Sequence, residues 1–228
     1  MYINTLSYLL LSEMLKNDTI NKTLNENIIK KGFTKFTDVQ NLVIDEKNVG
    51  RDLLVSSQTG SGKTLAYSLS ISDEILISKG KDSSTPSGLI ITPTRELALQ
   101  VYQEIQWLFE KTDLTAVTSI GGMDINKERA KLKRKFNLLI GTPGRINDHL
   151  RKKYLNLSKL SVLVLDEADE MLDLGFKEDL DKIIQSSPEN SRKLLFSATL
   201  PKKIVSLANK YQKNPKRIEV SNQNVPHK

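Results

Sequence analysis

Short runs of consecutive apolar residues recur along this chain, and between them apolar positions return at intervals of three and four. Leu53-Leu54-Val55, Leu89-Ile90-Ile91-Thr92 and residues 116–120, 138–141, 162–165, 193–196 and 217–220 read as strands, being too short for helices and rich in branched side chains. Helices are predicted where the wider spacing holds. Ile20, Leu24 and Ile28 mark one before Gly32, and Val39, Leu42, Val43 and Glu46 mark another over residues 38–48, ahead of Gly50. Leu97, Val101, Ile105 and Leu108 mark a third, running from the Pro93–Ala98 stretch to about Glu110, with Trp107 packed on the body of the domain. Buried strands alternating with helices predict an α/β domain whose doubly wound, mainly parallel sheet is covered on both faces. The domain is expected over residues 20–220, after an N-terminal helical extension at 1–19 and before a polar tail or linker stump at 221–228. Residues 79–88 read as a polar surface loop.

The first strand runs into Ser56-Ser57-Gln58-Thr59-Gly60-Ser61-Gly62-Lys63-Thr64 and then Leu65-Ala66-Tyr67-Ser68-Leu69, a strand, a glycine-rich turn and a helix start. Such a turn brings backbone N–H groups close to a polyphosphate, and the first helical turn adds unpaired donors and the positive end of the dipole. Lys63 is placed to reach β and γ phosphates, and the Thr64 hydroxyl to ligate a bridging Mg²⁺. The stretch departs from G-x-x-x-x-G-K-[ST] at its first position, Ser57, and a flexible Gly/Ser surface turn is the alternative. Asp166-Glu167-Ala168-Asp169 follows the strand at 162–165, at the sheet edge where open α/β folds bind ligands. Asp166 suits Mg²⁺ held through water, and Glu167 suits a base or orienting group for an attacking water. A helix N-terminus stabilised by its dipole is the other reading of this tetrapeptide.

Composition bounds the picture without sharpening it. At 228 residues, with 38% apolar and 27% charged, the chain suits one large α/β domain in preference to two small ones, and no uncharged apolar run is long enough to span a bilayer. Residues 2–15 are apolar but lack a basic n-region and a cleavage site, so no secretory signal is expected. With no cysteine and two isolated histidines, neither a disulfide framework nor a zinc site is available, which favours a reducing, cytoplasmic setting. The net charge of +7 suits an anionic partner such as nucleic acid, or serves solubility. Its densest patch, Lys127 to Lys135, lies in helix-compatible sequence and reads as a solvated face.

Seven short stretches then fall in one order that resembles the first RecA-like domain of a DEAD-box RNA helicase, over about residues 20–220. Gly32-Phe33 with Thr37 and Gln40 resembles the family's adenine-reading Q motif, and Ser57 to Thr64 its phosphate loop. Pro93-Thr94-Arg95-Glu96-Leu97-Ala98, Gly121-Gly122 and Thr142-Pro143-Gly144-Arg145 resemble its RNA-backbone contacts. Asp166 to Asp169 resembles the tetrapeptide that names the family, and Ser197-Ala198-Thr199 the motif coupling hydrolysis to RNA binding. The resemblance implies ATP and Mg²⁺ as cofactors, with Phe33, Gln40, Ser57, Thr59, Gly60, Ser61, Gly62, Lys63 and Thr64 around the nucleotide. It implies Thr64 and Asp166 at the metal, and Lys63, Asp166 and Glu167 as the catalytic set. RNA would be gripped through its backbone by Pro93, Thr94, Arg95, Gly121, Gly122, Thr142, Pro143, Gly144 and Arg145, and Ser197 and Thr199 would hydrogen-bond Asp169. Arginines, threonines and glycine-borne N–H groups are the right chemistry for phosphates read without sequence preference.

The sequence departs from the family pattern in three places. Phe36 replaces the usual proline of the Q motif, and Ser57 stands where alanine is common in the phosphate loop. The upstream aromatic that stacks on adenine is missing, Leu15 or Met14 standing at its place, with Phe33 or Tyr8 as possible substitutes. Nothing in the chain resembles the family's second RecA-like domain, whose histidine- and arginine-rich motif finds no match at His149 or His227. The resemblance therefore implies a monomeric ATP- and RNA-binding domain that is nearly inactive alone. The alternatives are a non-catalytic homologue that binds nucleotide or RNA to regulate others, and a P-loop ATPase of unrelated purpose.

Overall fold

The computed structural model describes residues 20–77, 84–122 and 124–220. The expected extension at 1–19, with Tyr8, Met14 and Leu15, lies outside these residues, as do positions 79–83 of the polar loop and the expected tail. In chain order the elements are α1 (Lys22–Lys30), α2 (Asp38–Val43), a 3₁₀ turn (Glu46–Asn48), β1 (Leu53–Ser56), α3 (Lys63–Ser70), α4 (Ser72–Ile77), β2 (Gly88–Ile91) and α5 (Arg95–Leu108). They continue with β3 (Ala116–Ser119), α6 (Ile125–Leu132), β4 (Leu138–Gly141), α7 (Pro143–Arg151), β5 (Val162–Leu165) and α8 (Ala168–Asp173). The last are α9 (Lys177–Gln185), β6 (Arg192–Ser197), α10 (Lys202–Tyr211) and β7 (Lys216–Glu219).

The seven strands form one sheet in the order β3-β4-β2-β5-β6-β1-β7, and every neighbouring pair is parallel. Strand side chains alternate between its two faces, as the two-residue period of a strand requires. Leu53, Val55, Ile90, Leu138, Ile140, Val162, Val164, Leu194 and Phe196 enter the core shared with α1 to α5. Leu54, Leu89, Ile91, Leu139, Leu163, Leu165 and Leu195 enter the opposite core, under α7 to α10. The helices of the first half of the chain thus cover one face and those of the second half the other. Both faces are dry, so the strands read as continuous apolar runs in the sequence.

The helix expected over 38–48 is two pieces. Thr37 caps α2 in a capping box with Gln40, and Asp45 turns its carboxylate onto the Lys47 N–H, starting a separate 3₁₀ turn. Trp107 does pack on the domain, its ring stacked on Phe33 with centroids 5.9 Å apart.

This topology divides the carboxyl edge of the sheet. β5, β6 and β1 are adjacent, so the turns leaving them meet; β3, β4 and β2 are adjacent on the other side. The Asp166 N–H, donating to the Ile91 carbonyl at 2.9 Å, fixes the junction between the two groups.

Candidate functional site

On the β5-β6-β1 side the glycine-rich turn wraps the start of α3. Gly60 (φ +81°) and Gly62 (φ +89°) hold left-handed backbone that other residues rarely adopt. Gly62 is also a point of close approach, because a Cβ there would lie 2.4 Å from Gln40 Nε2. Lys63 is buried, its ammonium donating to the Ser57 carbonyl at 2.8 Å, and Ser57 Oγ and Ser61 Oγ are 2.7 Å apart. The loop is braced from outside by α2. Thr37 Oγ1 donates to the Ser61 carbonyl at 2.9 Å, and Gln40 Nε2 to the Gly62 carbonyl at 3.2 Å. Gln40 Oε1 accepts the Thr37 N–H at 2.9 Å. The amide expected to read adenine therefore also supports the phosphate loop, with one donor hydrogen and one lone pair to spare. Phe33 spends one ring face on Trp107.

Asp166 and Glu167 sit side by side at the end of β5 in different environments. Asp166 is 3% exposed; its Oδ1 accepts the Glu167 N–H at 3.0 Å and its Oδ2 the Tyr67 hydroxyl at 3.1 Å. Burial pushes the Asp166 carboxyl above its ordinary value, against the opposing pull of the Lys63 ammonium and these hydrogen bonds. Glu167 has a left-handed backbone, φ +51°, at the cap of α8, an uncommon conformation for a residue with a side chain. Burial first, then a hydrogen bond with Glu170 and the Asp166 charge, raise the Glu167 carboxyl to about 7. A carboxylate that exchanges its proton near neutrality is suited to general-base work.

Tyr67 is a site residue that the sequence concealed. It is fully buried, edge-on to Phe196, and its hydroxyl donates to Asp166 and lies near Thr64, the two residues expected at the metal. It lies inside an apolar helical run, where a tyrosine reads as core. Gln40's structural role had a signal in the sequence, since Thr37-Asp38-Val39-Gln40 has the spacing of a capping box.

Asp169 Oδ2 accepts the Ala198 N–H and Thr199 N–H, each at 3.2 Å, and the Thr199 hydroxyl at 3.3 Å. The expected bond from Ser197 is not formed. Ser197 is buried at the end of β6 and its hydroxyl donates instead to the Thr199 carbonyl, closing the turn that carries the other donors to Asp169.

On the β3-β4-β2 side, the stretches expected to face RNA meet around an open groove of about 500 Å³. Pro93, Thr94 and Arg95 enter it from the end of β2, Gly121 from β3, and Thr142, Gly144 and Arg145 from β4. Thr94 and Thr142 are the N-caps of α5 and α7, so both helix starts open on the groove. The Arg95 guanidinium lies across the Gly121-Gly122 turn; a Cβ on Gly122, whose φ is +79°, would meet its Nη1 at 1.9 Å. Arg145 is turned inward. Its side chain is 11% exposed and Nη1 donates to Glu128 at 3.0 Å.

The DEAD/DEAH box helicase family model matches residues 37–207. The chain is 41% identical over 205 residues to an ATP-dependent RNA helicase, DbpA, of Bacillus subtilis, a match covering 90% of this chain and 42% of that protein. It is 37% identical over 206 residues to a DEAD-box ATP-dependent RNA helicase, CshA, of Bacillus cereus, covering 90% of this chain and 38% of that protein. This chain therefore spans about two-fifths of the length of these curated relatives. Among solved structures, a DEAD box protein from the hyperthermophile Methanococcus jannaschii superposes with a TM-score of 0.79 at 36% identity, covering 89% of this chain and 54% of that one.

Proposed function

Because the chain belongs to the DEAD/DEAH box helicase family, we propose that it is the nucleotide-binding, RNA-gripping RecA-like domain of an ATP-dependent RNA helicase. The observation that carries the reading is the meeting of Lys63, Asp166 and Glu167 at the carboxyl ends of β1 and β5, the two strands that flank β6, with Asp169 holding the Ala198-Thr199 turn beyond β6.

The residues fit ATP and Mg²⁺. A glycine-lined turn at a helix start, with a buried lysine whose ammonium lies against a loop carbonyl, is a cradle suited to a phosphate anion. Thr64 and Asp166 are hard oxygen donors brought close to one tyrosine hydroxyl, which suits a magnesium ion that keeps most of its water. When bound, the ion would offset the negative charge of the phosphates. Lys63 would bind the phosphates, Thr64 and Asp166 would hold the ion, and Glu167, in its ionised form, would align the attacking water and take up its proton. Gln40 selects adenine with the hydrogen-bonding capacity it retains.

RNA is held on the other side of the edge through its phosphates, by Arg95, Thr94, Thr142 and the N–H groups near Gly122 and Gly144. Asp169, Ala198 and Thr199 relay between the two sides, with Ser197 shaping that turn. Hydrolysis is completed by a second RecA-like domain that supplies arginines, an effect worth about 10³–10⁵ in rate. The protein works as a monomer in a reducing, cytoplasmic setting; among the described residues no helix is long and apolar enough to cross a membrane.

The test is RNA-stimulated ATP turnover by the chain with and without an added second domain. Turnover that needs both RNA and the added domain, and is lost in Lys63→Ala, is the expected result. Brisk turnover by the chain alone, or none in any combination, contradicts it.

A further inference from the structure

We propose that Glu128 is a positioning residue for the RNA-facing groove, fixing the Gly121-Gly122 turn and the start of α7 in one register, and that Arg145 serves this register rather than gripping a phosphate. The inference rests on the RNA reading of the groove given above. Glu128 is 4% exposed and projects inward from α6, away from the exposed lysines on either side of it. Its Oε1 accepts the Ile120 N–H at 3.0 Å, one residue before Gly121. Its Oε2 accepts Arg145 Nη1 at 3.0 Å, lies 2.9 Å from Nε2 of the fully buried His149, and is 3.4 Å from the Ser119 hydroxyl. One carboxylate on α6 thereby joins the exit of β3 to two successive turns of α7.

Burial alone would raise the Glu128 carboxyl, but the His149 bond, the Ile120 N–H and Arg145 together hold it below its ordinary value. It is an anion in place. A guanidinium that is mostly buried against such an anion gives the groove little of its surface, and leaving would strand the carboxylate beside a buried histidine. What the groove receives is the result of the pairing: the Gly121-Gly122 turn on which Arg95 lies, and the Thr142 to Gly144 backbone at the start of α7.

The experiment measures binding of a labelled single-stranded RNA of mixed sequence at several salt concentrations. It compares the intact chain with Glu128→Gln, Arg145→Gln and the double variant, each followed by thermal melting. Each single change is expected to weaken binding about tenfold and the double change no further, because the two side chains act as one unit. The log–log salt slope of Arg145→Gln is expected to stay at the intact chain's value. A slope shallower by about 0.7 in Arg145→Gln, the mark of one phosphate of a single strand left without its cation, overturns the proposal. So do additive losses in the double variant, or equal or tighter binding by Glu128→Gln. If Glu128→Gln does not fold, the Arg145→Gln slope decides alone. An intact chain that binds no RNA refutes the RNA reading itself, and the proposal with it.

Discussion

The two sides of the sheet's carboxyl edge use charge in opposite ways. On the β5-β6-β1 side charged groups are buried with incomplete compensation: Asp166 lies above its ordinary pKa, and Glu167 is raised to about 7. On the β3-β4-β2 side the buried carboxylate, Glu128, is held below its ordinary pKa by the donors around it, and Arg95 lies in an open groove. Uncompensated burial yields groups ready to exchange protons and bind a cation, whereas compensated burial yields a rigid frame that displays backbone and cations to a polyanion. In the proposed function, one sheet edge carries a chemical half and a gripping half.

The largest effect expected from breaking this contrast is on turnover. Glu167→Gln removes the proton acceptor, and RNA-stimulated ATP hydrolysis with the second domain present should fall by about 10²–10⁴. A variant retaining more than half the rate would remove Glu167 from the chemistry. Next in size, Arg95→Ala should weaken single-stranded RNA binding several-fold and make the salt slope shallower by about 0.7 for each phosphate that Arg95 neutralises. An unchanged slope would mean that Arg95 neutralises none.

The strands were the most legible part of the fold. β4 and β5 end where their apolar runs end, because both faces of a central strand are buried and only the loops are polar. The helix expected to reach Glu110 stops at Leu108, and the one expected over 38–48 breaks at Ile44-Asp45, since an internal cap competes with continued periodicity. The phosphate loop and the acidic tetrapeptide were legible because their chemistry is contiguous in sequence. Tyr67–Asp166 and Glu128–Arg145 were not, being pairs joined by the fold across 99 and 17 residues. Glu128 was masked by its setting: six cations in nine residues read as a solvated face, although Glu128, Leu132 and Phe136 recur at the four-residue spacing of an inward stripe.

A smaller effect concerns the base. Gln40→Ala should reduce the preference for ADP over GDP and also weaken both nucleotides, because the same amide braces the Gly62 carbonyl. Loss of selectivity with no common loss of affinity would show that the brace is dispensable. Smallest is a pH effect on stability. A carboxyl raised from its ordinary 4.5 to about 7 takes up a proton on folding within that window, so Glu167 makes the fold less stable as pH rises from 4.5 through about 7. Glu167→Gln should therefore melt higher than the intact chain above pH 7, with the difference shrinking toward pH 5. A difference independent of pH would mean that Glu167 is not shifted.

The central claim, two half-sites on one edge, is tested most directly by a two-by-two binding measurement. Affinities for ADP·Mg²⁺ and for a single-stranded RNA would be measured separately, each in the absence of the other ligand, for Lys63→Ala and Arg95→Ala against the intact chain. The account predicts that Lys63→Ala loses nucleotide affinity far more than RNA affinity, and Arg95→Ala the reverse. Comparable losses of both ligands in either variant, in chains that melt normally, would contradict a divided edge.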